Sequence, residues 1–381
     1  MCSYYKDNDF ESALSKFQIA LDYYSKIGLK SKIAAIEVNI GVMYNIIGDK
    51  KNAEASWKRA LEINRSVGNI SQEGYLLLNN GAYYLDELEF DKSIEYYKRA
   101  HNIFLSLGSK INEGIVLSNL GEVYLITCEY QNSFDVLEEA KVIFQELENV
   151  EELIPVLVLL CQFYFTLGDY KEIESLYNNT LSLIEKFKLD DKYENDLMLM
   201  RNILLIADGK EIEITDLETI RNSYLEKEDF KNYVMVNTIL LNYLIKLELF
   251  AKAAEELNEK SFVEASKKNN IFEANREYLL GVVSSKYITD DTLSAFEHFE
   301  RAYELLSRES IIELTWKVLY SLAMEYSRRG NMNKAKNFII YSRDLIFLIA
   351  ENIESTNFKT SYLQKEERRN SIEQLEKLQE A

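Results

Sequence analysis

The sequence is short of turn-forming residues. It has a single proline and 13 glycines among 381 residues, where average usage of the two together is about 12%. Sheets, sandwiches and barrels need turn signals every roughly 8–12 positions, so those folds are excluded, as is a collagen-like or Pro/Gly-rich disordered chain. Cysteine is also scarce. Cys2, Cys128 and Cys161 show no close pairing pattern, which points to a reducing compartment, the cytoplasm by default. Positive charge is in deficit, with 44 Lys and Arg against 63 Asp and Glu and a net charge of −19. Such a surface repels phosphate backbones, and no basic cluster stands above its neighbours, so no nucleic-acid partner is expected. No window of eighteen uninterrupted apolar residues exists, so no membrane span or membrane partner is expected either. The amino terminus has neither the basic start nor the apolar stretch of a signal peptide. What is present is an apolar fraction of 47%, too high for disorder. A helical protein of two or three domains, or a solenoid, remains.

A forty-residue repeat decides between these. Gly41, Gly81 and Gly121 lie forty residues apart, and so do Tyr4, Tyr44, Tyr84, Tyr124 and Tyr164. The bulky series Phe17, Trp57, Tyr97, Leu137, Tyr177 keeps the step, as does the small series Ala20, Ala60, Ala100, Ala140, ending in Thr180. Each unit reads as two helices: apolar residues return at spacings of three and four over 74–85 and again over 92–107, with a short turn at Leu88 and a stop at Gly108. Small residues let helices approach, the aromatic phases fill the space between them, and each pair must stack on its neighbours to bury its apolar face.

Residues 119–124, Asn-Leu-Gly-Glu-Val-Tyr, followed by the Ala140 phase, resemble the tetratricopeptide repeat. The stretch from Gly41 through Tyr44, Gly48-Asp49, Ala53 and Trp57 to Ala60 resembles it best. The forty-residue step is similar to the variant found in kinesin light chains and spindle-orientation adaptors. The resemblance implies an all-α solenoid, a superhelix of about eight antiparallel helix pairs with a carboxy-terminal capping or linker helix. The regular array spans 1–186, with a first unit truncated near Tyr4. Degenerate pairs follow over 187–310, and Ala295 is displaced by two residues within 284–291. A further unit, carried by Leu322-Ala323, Tyr326, Gly330 and Ala335, occupies 311–356. Residues 357–381 leave the repeat, and Tyr362, Ile372, Leu375 and Leu378 favour a final helix. Turns are expected near Gly48, Leu88, Cys128 and Gly168, and altered packing between Phe187 and Asp216.

The catalytic inventory is thin. His101 and His298 sit far apart, each in a second helix, as surface or seam residues. No metal-ligand spacing, phosphate loop or nucleophile elbow is present, so no enzyme activity, metal or cofactor is expected. Cys161 takes the small-residue phase, and the Tyr44, Tyr84, Tyr124, Tyr164 ladder points between paired helices as core. The sharper signal is Asn39, Asn79 and Asn119, each two residues before the small position. Asn costs roughly 0.5 kcal/mol or more against Ala in a helix, so three at one phase suggest a shared reason. A side-chain amide offers a donor and an acceptor, matching the backbone of an extended peptide. In the adaptors that the repeat resembles, an Asn at this phase holds the peptide backbone; the competing reading is an amide that hydrates the wall. The amide track stops at Leu159. Around it, Val42, Asn45, Tyr75, Leu78, Leu85, Ser118 and Glu122 are the expected concave wall. It carries too few charges to clamp a terminal carboxylate.

The sequence therefore reads as a scaffold for a protein or peptide ligand, with the open amino-terminal repeat offering a surface for self-association. Two alternatives stay open: the sensory region of a larger bacterial signalling protein whose output domain is absent, and a cytoplasmic receptor for short signalling peptides.

Overall fold

Helices of one length, joined by links of one length, build the first half of the chain. The computed structural model describes residues 10–287, 293–306 and 313–380. The helices are α1 (Phe10–Lys26), α2 (Lys30–Ile46), α3 (Lys50–Ser66), α4 (Ile70–Asp86), α5 (Phe90–Ser106), α6 (Lys110–Ile126) and α7 (Tyr130–Glu146), each of 17 residues. Then come α8 (Val150–Leu167), α9 (Lys171–Phe187), α10 (Asp190–Ala207), α11 (Ile214–Glu226), α12 (Phe230–Lys246), α13 (Phe250–Leu257), α14 (Lys260–Ser266) and α15 (Asn270–Ser284). The last five are α16 (Ala295–Leu306), α17 (Glu313–Arg328), α18 (Met332–Glu351), α19 (Thr356–Gln364) and α20 (Glu366–Glu380). No strand occurs among the described residues. Tyr4, Cys2 and residues 288–291 of the displacement expected within 284–291 lie outside them.

The links explain the equal lengths. Gly28, Gly48, Gly68, Leu88, Gly108, Cys128, Glu148 and Gly168 all have positive φ, one every twenty residues. At Glu148 the geometry is a Schellman turn: its N–H reaches the Gln145 carbonyl at 3.1 Å, and the Asn149 N–H reaches that of Phe144 at 2.9 Å. Such a turn satisfies the last carbonyls of one helix before the next begins. Gly48, Leu88, Cys128 and Gly168, the expected turn positions, each fall in a link.

Contacts divide the chain into two units, Met1–Asn119 and Leu120–Ala381, the boundary falling inside α6. In the first unit α2 packs on α3 and α4 on α5, through the small and bulky phases. A Cβ on Gly41 would lie 2.3 Å from Trp57, and one on Gly81 2.5 Å from the Tyr97 ring. Ser93 Oγ donates to the Gly81 carbonyl at 2.8 Å. Tyr84 is core, as its phase suggested, and its hydroxyl donates to Glu54 at 3.0 Å.

The second unit starts by the same rules. Leu137 fills the space beside Gly121, and Ser133 Oγ donates to the Gly121 carbonyl at 2.7 Å. Regularity then fails within 187–216: Tyr193 is non-helical inside α10, and a six-residue link precedes α11. The lone proline, Pro155, lies inside α8. Its missing N–H leaves the Glu151 carbonyl without its helical donor, and the Tyr193 hydroxyl donates to that carbonyl at 2.9 Å. Among the described residues α8 is the one helix long and apolar enough to cross a membrane; most of it is buried, as in a core helix. The repeat pattern returns at Gly281, beside Phe299, and in the α17–α18 pair. The single final helix expected from 357–381 is a correction: the structure has two, α19 and α20, broken at Lys365, whose backbone is extended at φ −54°, ψ 129°.

Candidate functional site

The helical period places positions 35, 38, 39 and 42 on one side of α2, and 75, 78, 79 and 82 on one side of α4. Asn39 and Asn79 are exposed there, and Val42, Asn45 and Leu78 are half-buried. Tyr75 is 40% exposed. Its ring meets Phe104 edge-on at 5.3 Å, and its hydroxyl accepts from Asn112 Nδ2 at 2.9 Å.

Between the two helices lies a cavity of about 330 Å³. Ala35 and Val38 of α2 and Tyr75 and Asn79 of α4 line it, together with the amides of Asn64, Asn69 and Gln72. Asn64 is the cause of the opening. It stands on the forty-residue series that continues through Phe104 and Phe144, and both of those rings are 0% exposed. Where later units fill the phase with an aromatic side chain, this unit has a short amide, and space remains. Asn69 stands at the amino-terminal cap of α4 but makes no side-chain cap hydrogen bond, so its amide is left to the cavity. Sequence reasoning missed Asn64, Asn69 and Gln72. The break in the Phe104 and Phe144 series was the signal that could have found them.

Two expected wall residues are corrected. Leu85 is 3% exposed and Ser118 is 9% exposed; both belong to the packed interior, because their positions turn toward the partner helix. Glu122, in the second unit, is ion-paired with Lys231 of α12, which leaves its carboxylate already engaged. Asn119 is half-buried at the end of the first unit.

Chemistry has little to work with elsewhere. Burial pushes the Cys161 thiol up to about 12 and raises that of Cys128, so neither is a ready nucleophile. His298 Nδ1 lies 2.7 Å from Glu277 Oε2 in the α15–α16 seam, both side chains being buried. Among the described residues no group of three or more His, Cys, Asp or Glu is placed to hold a metal ion.

The fold and this face define a tetratricopeptide-type α-solenoid. The solved structure of a Rap protein complexed with Competence and Sporulation Factor superposes with a TM-score of 0.59 at 14% identity, covering 91% of this chain and 98% of that one. The apo form of RapI superposes with a TM-score of 0.58 at 16% identity, covering 70% of this chain and 94% of that one. No family model and no curated protein matches the sequence.

Proposed function

We propose that the chain is a non-catalytic scaffold whose α2–α4 face receives an extended segment of a partner peptide or protein. The amide-lined cavity opened by Asn64 carries this reading. Its apolar floor, Ala35 and Val38, offers room for a side chain, while Asn69, Gln72 and Asn79 offer donor and acceptor pairs for a peptide backbone. Asn39 and Asn119 extend the same offer along the repeat. Each amide contact contributes about 0.5–1.5 kcal/mol net. The Competence and Sporulation Factor carried by a Rap protein of the same fold supports a ligand-holding reading and favours, as a second one, a receptor for short signalling peptides.

A displayed peptide library, panned on the wild-type chain, supplies the ligands for the test. Changing Asn39, Asn79 and Asn119 together to Ala should weaken them at least tenfold without unfolding the protein, since Ala favours helix. Asn64→Phe should abolish binding by crowding the cavity, since Ala34 stands where Gly74 makes room for Phe104. Equal recovery of ligands by all three proteins would remove this face from the mechanism.

A further inference from the structure

The carboxy-terminal segment returns to helices about two hundred positions earlier in the sequence, all within the second unit, and it docks there as a ligand docks. Phe358 of α19 sits against three rings, with centroids 4.8 Å from Phe134, 5.3 Å from Phe163 and 6.0 Å from Tyr164. One turn on, Tyr362 is 0% exposed and lies 5.6 Å from Tyr130. Lys365 donates to the carbonyls of Phe165 at 2.9 Å and Thr166 at 3.2 Å, at the negative end of α8. Gly168 makes room for it: any Cβ there would lie 3.1 Å from that of Lys365. Arg368 donates to the Thr166 carbonyl at 3.0 Å, pairs with Glu313 at 3.0 Å and lies over the Tyr362 ring at 3.8 Å. Glu313 in turn accepts from Tyr130 at 2.8 Å and Trp316 at 2.7 Å.

The composition of this seat is unlike that of the repeat seams. Those pair small residues, Ala53, Ala60, Ala100 and Ala140, each 0% exposed, with rings such as Trp57 and Tyr97, and bury no Lys or Arg. The seat instead offers carbonyl ends, a carboxylate and ring edges, the polar and aromatic mixture of surfaces that part and rejoin rather than the apolar mixture of permanent ones. Its satisfaction is incomplete as well, because Arg368 Nε is buried without a partner among the described residues. Phe358 and Tyr362 stand on α19, a nine-residue helix hung from a short link, 352–355, and Arg368 on the first turn of α20.

We propose that α19 and the first turn of α20 form a detachable internal ligand, and that their seat on α7, α8 and α17 binds a partner helix of the same chemistry. That helix presents an aromatic residue, a second aromatic four residues later, and cations three and six residues beyond the second, as Phe358, Tyr362, Lys365 and Arg368 do. The site is separate from the α2–α4 cavity, and neither reading depends on the other.

The test uses the full chain and a fluorescent synthetic peptide of residues 354–376. The double variant Phe358→Ala/Lys365→Ala weakens the internal grip and leaves the seat intact. It should bind the peptide at least tenfold more tightly than wild type does. A peptide carrying Phe358→Ala and Arg368→Ala should lose at least tenfold on the same variant, and the triple Asn variant should bind the wild-type peptide as the wild-type chain does. Hydrogen exchange gives a second measure: amides of α19 should exchange well before those of α8. Equal peptide affinity for wild type and the loosened variant would overturn the proposal. So would exchange of α19 only with global unfolding, or collapse of the loosened variant's helical circular dichroism.

Discussion

The two units of the chain solve the same problem differently. In the first unit the α2–α3 and α4–α5 seams follow the forty-residue rule, and the face of α2 and α4 is left with exposed amides and a cavity. In Leu120–Ala381 the rule lapses after α9 before returning at Gly281 and in α17–α18, and side chains of distant helices meet: Lys231 on Glu122, Arg368 on Glu313. Strict repetition satisfies only neighbours, so whatever points away from a neighbour stays open. Irregularity lets a unit fill its own surfaces. The amide-lined opening of the first unit and the long-range pairings of the second follow from regularity and its loss.

The largest effect expected is in the regular unit. Trp57→Ala empties the seam beside Gly41 and should cost about 3–5 kcal/mol, read as a lowered denaturation midpoint. An unchanged midpoint would mean that the repeat phase does not carry the packing. Gly81→Ala, which drives a methyl into the Tyr97 ring, should cost about 1–3 kcal/mol by the same measurement. The irregular unit should respond to pH. Burial alone would raise the Glu313 carboxyl, but Arg368 and Lys317, with the Trp316 and Tyr130 hydrogen bonds, bring it from 4.5 down to about 2. Because the folded value is the lower, its contribution is fully present above pH 4.5 and is lost as pH falls towards 2. Exchange of the α19 amides should accelerate over that window, and Glu313→Gln should flatten the dependence. The smallest effect concerns Glu248, exposed in a link at φ 58°. Glu248→Gly relieves the left-handed strain at the cost of unfolded-chain entropy and should stabilise by about 1 kcal/mol or less.

Much of this was legible in the residues. The Gly41, Gly81 and Gly121 series predicted the helix pairs, the links and the Trp57 and Tyr97 fillings, because a repeat states its packing several times over. The site was less so. Leu85 and Ser118 look like wall residues if only the spacing within one helix is counted, yet one-residue rotations decide whether a side chain meets solvent or the next helix. Glu122 carries no mark of a partner on α12, since that contact spans 109 positions and no local pattern encodes it. Asn64 was legible but unread: a departure from a series tells more than a further member of it. The break at Lys365 follows from where α19 and α20 must dock, which local propensity does not contain.

The left-handed residue every twenty positions has a bearing on how such a chain changes in length. Each seam pairs a small residue with one sixteen positions on, as Gly41 with Trp57, Gly81 with Tyr97 and Gly121 with Leu137. Losing the forty residues 69–108 would hand each downstream helix a neighbour with the same pairing, whereas losing one residue from a link would put the following helix out of step. Gene-level duplication or excision in whole steps is thus a neutral move for this architecture and small insertions are not. The array can be lengthened or shortened to suit a ligand without rebuilding any single contact.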